Sequence, residues 1–303
     1  MLPDQPFPSP ARGSNAPASV ATGVLAGVHV DLDCAAASAG EALGLPRIEA
    51  RTWGPRVRFF ARERVIESFW REIEGRLAPL VLCGSGDFHH LTALWQRRAA
   101  REGEYHLVSF DNHPDWDMRP PAWACGAWVG RALANPALRS VTVWGCGNFE
   151  LALPHRLFRS RDARLSVRPW CERLSPANRR RYGCIDRESW REEFARFADS
   201  LAGRRVYVTI DLDCLRHGVV YSNWEHGLFE VDDLTWALGL LHARAEVVGG
   251  DLCGAWSEQE YDGWFKRLAA WWDHPRLALP GRETIGRVNA EAMIAVWRAL
   301  AGA

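Results

Sequence analysis

Asp111, His113, Asp115 and Asp117 occupy alternate positions in the stretch 109–117, directly after an apolar run at 105–110. In an extended chain alternate side chains face one side. Three carboxylates and an imidazole would then crowd together, each acid raising the pKa of the next unless a cation sits among them. A divalent metal is one solution. A solvated strand end is the other, because Asn112, His113, Pro114 and Asp115 are also turn residues. Groups of the same residue types recur at Asp31 to Cys34, at Asp87 to His90, at Asn148 to Glu150, at Asp211 to Cys214 and at Asp251.

Each of these groups follows a short apolar run, and that spacing specifies the elements that must position them. Strands are expected at 23–30, 80–83, 105–110, 141–144, 205–210 and 246–249. Helical spacing of apolar residues covers 62–77, 124–133, 190–201, 233–243, 261–272 and 283–300, with a further helix starting near Leu91. In the helix at 233–243, Leu234, Ala237, Leu238 and Leu241 make one face and Asp232 is the expected cap. Residues 151–189, dense in Arg and Pro, read as irregular. Strands alternating with helices imply an α/β three-layer sandwich, its mainly parallel sheet covered on both faces. Ligands of such sheets bind outside the carboxyl ends of the strands. One edge can therefore gather every acidic group named above, which favours the metal reading.

Composition narrows the function classes. The 303 residues, 48% hydrophobic and 24% charged, can bury a large core as one domain over 23–303. Residues 1–22, rich in Pro, Ser and Ala, read as a disordered arm with no signal-peptide core. Lys plus Arg and Asp plus Glu are both 37, so no basic field points to nucleic acid. No apolar run reaches membrane-spanning length. The eight cysteines form no Cys-x-x-Cys pair, and are expected to be reduced core thiols in a cytoplasmic protein rather than a disulfide frame. An oligomer is compatible with all of this.

Three pieces taken together, Gly86-Asp87-Phe88-His89, Asp111-Asn112-His113-Pro114-Asp115 and Asp211-Leu212-Asp213, resemble the arginase/ureohydrolase family in type, order and approximate separation over roughly residues 23 to 255. The resemblance implies an arginase-like fold and two Mn²⁺ ions per chain. Their ligands would be His89, Asp111, His113, Asp115, Asp211 and Asp213, with Asp111 and Asp211 bridging. His90 is the alternative to His89, because the family has one residue fewer between Gly and His. Four carboxylates and two imidazoles make an oxygen-rich set suited to Mn²⁺. Asp115 is implied as the catalytic residue that also orients the attacking water.

The substrate side departs from the family. The guanidinium-binding Glu of that family falls at Gly254, and no His follows Asp115 where arginases carry a proton-shuttling one. Residues Cys125 to Gly130 include Trp128 and Val129 instead. This pattern is similar to a divergent branch that includes enzymes acting on arginine inside peptides. Asp117, Glu150 and Glu258 are the replacement substrate-binding carboxylates, with Asp33 a weaker candidate. The leading expectation is hydrolysis of a guanidino C–N bond, in a small molecule or an arginine-containing peptide, to ornithine or an ornithyl residue plus urea. An amide, formimino or acetyl-amine hydrolase on the same fold is a second reading, and a non-catalytic metal-binding relative a third.

Overall fold

The computed structural model describes residues 23–119 and 123–303, so the arm expected over 1–22 lies outside the described residues. Eight strands form one sheet: β1 (Gly27–Asp31), β2 (Arg47–Glu49), β3 (Leu80–Leu82), β4 (Tyr105–Phe110), β5 (Leu138–Trp144), β6 (Leu165–Arg168), β7 (Arg205–Asp211) and β8 (Glu246–Cys253). Their order is β2-β1-β3-β8-β7-β4-β5-β6, and every pairing is parallel.

The period of two along each strand supplies two cores. In β4, Tyr105 and Leu107 enter one core while Val108 and Phe110 enter the other; in β7, Tyr207 opposes Val206, Val208 and Ile210. Strands apolar on both sides must be covered on both faces. Helices α1 (Glu63–Ile73) and α2 (Trp128–Leu133) cover the first, through Ile66, Phe69, Trp70 and Ile73 and through Trp128, Val129 and Leu133. Helices α3 (Trp190–Ser200) and α4 (Val231–Arg244) cover the second. Helix α5 (Trp264–Asp273) stands apart from both, and α6 (Arg282–Ala301) returns to the second face with Met293, Val296, Trp297 and Leu300. The expected face of α4 is the one buried. Its cap is Glu230 rather than Asp232: the Glu230 backbone N–H donates to Asp233 Oδ2 at 2.9 Å, starting the helix two residues early.

Three expectations are corrected. β8 runs past residue 249 to Cys253, because Gly249 and Gly250 are there for clearance: a Cβ on Gly250 would lie 2.4 Å from the Val208 carbonyl oxygen. The 151–189 region contains β6, and Cys171 and Cys184 within it form a disulfide. The reading of all eight cysteines as reduced thiols, and the compartment inferred from it, therefore loses its footing at that pair. Among the described residues no helix is long and apolar enough to cross a membrane.

Candidate metal centre

Register fixes which strand ends meet. Phe110 pairs with Ile210 and Asp211 with Cys253, so β4, β7 and β8 finish at one level and deliver Asp111, Asp211 and the 253–254 turn side by side. Beyond Phe110 the chain is bent rather than extended, and Asp115 adopts φ +49°. Asp tolerates that left-handed conformation better than most residues. The bend, not strand alternation, turns Asp115 inward, and Asp117 is left out.

Backbone N–H groups anchor one oxygen of each of three acids; the second oxygen is unpartnered in Asp111 and Asp213 and accepts from the Cys253 thiol in Asp211. Asp111 Oδ1 accepts the His113 backbone N–H at 2.7 Å, Asp211 Oδ1 accepts that of Asp213 at 3.0 Å, and Asp213 Oδ1 accepts that of Asn112 at 3.1 Å. The remaining oxygens converge with imidazole nitrogens. His89 Nδ1 lies 3.1 Å from Asp111 Oδ2, 3.0 Å from Asp115 Oδ2 and 3.8 Å from Asp211 Oδ2. His113 Nδ1 lies 2.8 Å from Asp213 Oδ2 and 3.5 Å from Asp111 Oδ1. Asp111 thus belongs to two ligand groups, one with His89 and Asp115 and one with His113 and Asp213. All six side chains are buried. Asp111 Oδ2 and Asp213 Oδ2 are buried without a hydrogen-bond partner, facing ring nitrogens instead of aligned donors. Lone pairs turned toward common points, in a set dominated by carboxylate oxygen, fit a pair of divalent cations.

The electrostatics agree. Burial and the neighbouring Asp111 carboxylate push Asp115 up to about 7. Asp213 also rises to about 7, burial and Asp111 outweighing the opposing pull of His113. Burial works against a charged His89, yet Asp111 and Asp115 raise its pKa well above the imidazole range. Protons are standing in for cations in this acid cluster.

His89, not His90, faces the site. His90 is wholly buried elsewhere; both ring nitrogens lack a hydrogen-bond partner, and burial lowers its pKa to about 3. Behind His89, Nε2 lies 2.9 Å from Thr209 Oγ1, whose hydroxyl donates to Asp251 Oδ2 at 2.7 Å. Thr92 and Tyr207 also donate to Asp251, each at 2.8 Å. Such partners fix the ring orientation of a ligating histidine. Sequence reading noted Asp251 as a strand-end acid without seeing this use; the signal was Thr92 and Thr209 among otherwise apolar neighbours. Glu225 was missed altogether: its Oε2 lies 3.5 Å from His113 Nε2. Asp87, within the first motif, is not beside the ligands but in a buried network with Arg58, Trp224 and His274.

The six candidate side chains line a cavity of about 1330 Å³ that Asp117 and Glu150 also line. Asp117 pairs with the side chain of Arg119 two residues away. Glu150 is half-buried, and its Oε2 is buried with no partner. Glu258 does not reach this cavity; it pairs with Arg282 at a second cavity of about 550 Å³, beside Asp33, which is held by Arg58 and Ser257. At the two positions that depart from the family, Trp128 donates its indole N–H to Asp115 Oδ2, and Gly254 sits at φ +105° against Asp211. A Cβ on residue 254 would lie 2.2 Å from Asp211 Oδ1. Gly254→Ala is therefore expected to displace Asp211, costing about 2–4 kcal/mol of stability and at least one bound metal ion. A melting curve with metal analysis checks this; unchanged metal content would show that the close approach is dispensable.

No protein-family model matches the chain, and no curated protein matches its sequence. Solved structures do. A formimidoylglutamase from Bacillus subtilis aligns at TM-score 0.53 and 12% identity over 97% of this chain and 96% of its own. An agmatine ureohydrolase from Thermoplasma volcanium aligns at TM-score 0.52 and 14% identity over 93% and 94%. An arginase from Medicago truncatula aligns at TM-score 0.46 and 18% identity over 79% of this chain and 64% of its own, so this chain spans less than two thirds of that protein. With its eight parallel strands and its acids at their carboxyl ends, the chain has the fold of the arginase/ureohydrolase superfamily.

Proposed function

We propose that the protein is a binuclear, Mn²⁺-dependent hydrolase of a guanidino C–N bond, converting arginine borne by a peptide to an ornithyl residue with release of urea. The observation that carries this reading is the convergence of six donor side chains, with Asp111 Oδ2 and Asp213 Oδ2 buried and unpartnered among them, in a cavity that also holds Glu150, whose Oε2 has no partner. His89, Asp111, Asp115 and Asp211 would hold one ion, and His113, Asp111, Asp211 and Asp213 the other. Two divalent ions bound there would supply an activated water at neutral pH and charge stabilisation for the attack.

The chain's own residues do the rest. Hydrolysis puts the water oxygen on the guanidino carbon and breaks its bond to the chain nitrogen, which leaves as an amine after gaining a proton. Asp115 is the group to orient that water and pass the proton on, because Trp128 at the shuttle position has no titratable atom. Trp128 instead holds Asp115 in place through its indole N–H. Of the three acids nominated from the sequence, Glu150 is the one placed to pair with the guanidinium: Asp117 is neutralised by Arg119, and Glu258 belongs to another cavity. Charge-assisted pairing of this kind is strong and directional.

Glu150→Gln is expected to raise KM for an arginine peptide about 10–100-fold with metal content unchanged, the loss of roughly 1.5–3 kcal/mol in a buried charged contact. Steady-state urea release, with the metal measured on the same samples, checks it. Equal KM values would exclude Glu150 as the partner. Formamide or acetate in place of urea would instead favour a formimino or acetyl-amine substrate, the reading that the lack of a Glu at 254 also permits.

A further inference from the structure

We infer that the rim of the metal cavity is a docking surface for apolar side chains of a polypeptide substrate, flanking the residue whose guanidino group enters the cavity; this rests on the hydrolase reading above. Among the described residues, all the strongly exposed large apolar side chains but one, Val24, fall at residue 118 and in the segments 149–158 and 264–272. A distribution that concentrated is unlike the scattered exposed leucines of an ordinary surface, and contiguous exposed apolar patches mark binding sites.

Helix α5 is turned inside out to present this surface. Its buried members are Lys266 and Ala270, whereas Trp264 is 75% and Trp272 83% exposed. The lysine is held in place by the Pro55 and Arg56 carbonyl oxygens, at 3.1 and 2.9 Å, and by Asp262 at 3.0 Å. Anchoring a helix by its cation leaves the aromatic face to water, without the stabilisation that burial of those side chains would bring. Something that covers the face recovers this.

The occupant follows from continuity with the site. Phe149 on one side and Phe265, Leu268 and Trp272 on the other line the same cavity as His89 and Asp111. Whatever covers these side chains lies across the mouth. A second copy or a permanent partner seated there would shut the site, whereas a polypeptide substrate enters it. The size agrees, since about 1330 Å³ exceeds the ~300–1,000 Å³ of pockets that enclose small ligands.

The test uses the full chain loaded with Mn²⁺ and labelled peptides that carry one ornithine, the product residue, so that binding is read without turnover. One peptide flanks it with Leu and Phe, the other with Ser and Gly, and anisotropy titration compares them. The apolar peptide is expected to bind at least tenfold tighter, and the double variant F265S/W272S to abolish that preference with melting temperature and metal content unchanged; F149S, elsewhere in the cavity lining, should weaken it. Equal affinities, or a preference intact in F265S/W272S, would overturn the proposal. So would a concentration-dependent dimer in sedimentation, or binding to phosphatidylglycerol vesicles, that disappears in F265S/W272S while the peptide preference stays. A tenfold preference without urea from the arginine form leaves docking in place and removes the guanidino reading; urea release without preference does the reverse.

Discussion

Asp111→Ala is expected to lose both metal ions and at least about a thousandfold in turnover, the equivalent of some 4 kcal/mol of transition-state stabilisation. The reason is its double membership. Asp111 Oδ2 faces His89 Nδ1 at 3.1 Å, while the same carboxylate faces His113 Nδ1 at 3.5 Å. Asp213→Ala, by contrast, removes a ligand from one group only and should retain one ion. Metal analysis of the two variants against the parent separates these outcomes, and equal loss would mean that the two groups do not hold separate ions. The pH dependence follows with a definite sign. Asp115 and Asp213, near 7 without metal, must shed protons before they can ligate, so affinity rises as pH rises through 7 and binding releases protons. Calorimetry of Mn²⁺ binding to the parent in buffers of different ionisation enthalpy would read that proton release, and no release near pH 7 would contradict it.

The second large effect is on stability. Asp87→Ala should cost about 3–5 kcal/mol, because it strips a partner from buried charge. Asp87 Oδ2 accepts from Arg58 Nη1 at 2.8 Å, and Oδ1 accepts from Trp224 Nε1 at 3.1 Å and lies 2.7 Å from His274 Nε2. Burial alone would raise its pKa, but His274 and Arg58 bring it down to about 2. A carboxylate lowered from 3.8 to about 2 on folding contributes roughly 2 kcal/mol that is fully present above pH 3.8 and disappears as pH falls toward 2. His274 carries the opposite sign: Asp87 outweighs burial and raises its pKa, so its contribution is complete below 6.5 and fades as pH rises through the raised value. Asp87→Asn keeps the shape and should flatten both limbs of a stability-against-pH curve from urea denaturation. Limbs as steep as in the parent would show that Asp87 is not the linked group.

The strands with long apolar runs, and the acids that end them, were legible because period and spacing are local properties. β2, Arg47-Ile48-Glu49, and β6, Leu165-Ser166-Val167-Arg168, were not, since their apolar residues stand singly among polar ones, whereas the equally short β3 is wholly apolar. β8 was cut short at Gly249 and Gly250, which sequence reads as a breaker and the packing uses for clearance against β7. The six side chains that converge were readable from order and type as a candidate ligand set, with His89 preferred over His90; that His89 is the one turned toward the acids is a property of the folded chain. Among the substrate-side acids, Glu150, Asp117 and Glu258 look alike as a string. They part only through their partners, Arg119 and Arg282 for the latter two and none for Glu150 Oε2. The absence of a histidine from Cys125 to Gly130, where Trp128 and Val129 stand, was visible in the sequence, but the bond from Trp128 to Asp115 belongs to the folded chain.

Incubation of the Mn²⁺-loaded protein with a peptide holding one internal arginine, followed by assay of urea and of the peptide's mass, tests the central claim most directly. The account predicts urea equimolar with an arginine-to-ornithine conversion, both absent in Asp111→Ala. An unchanged peptide and no urea, with two Mn²⁺ still bound per chain, would contradict it.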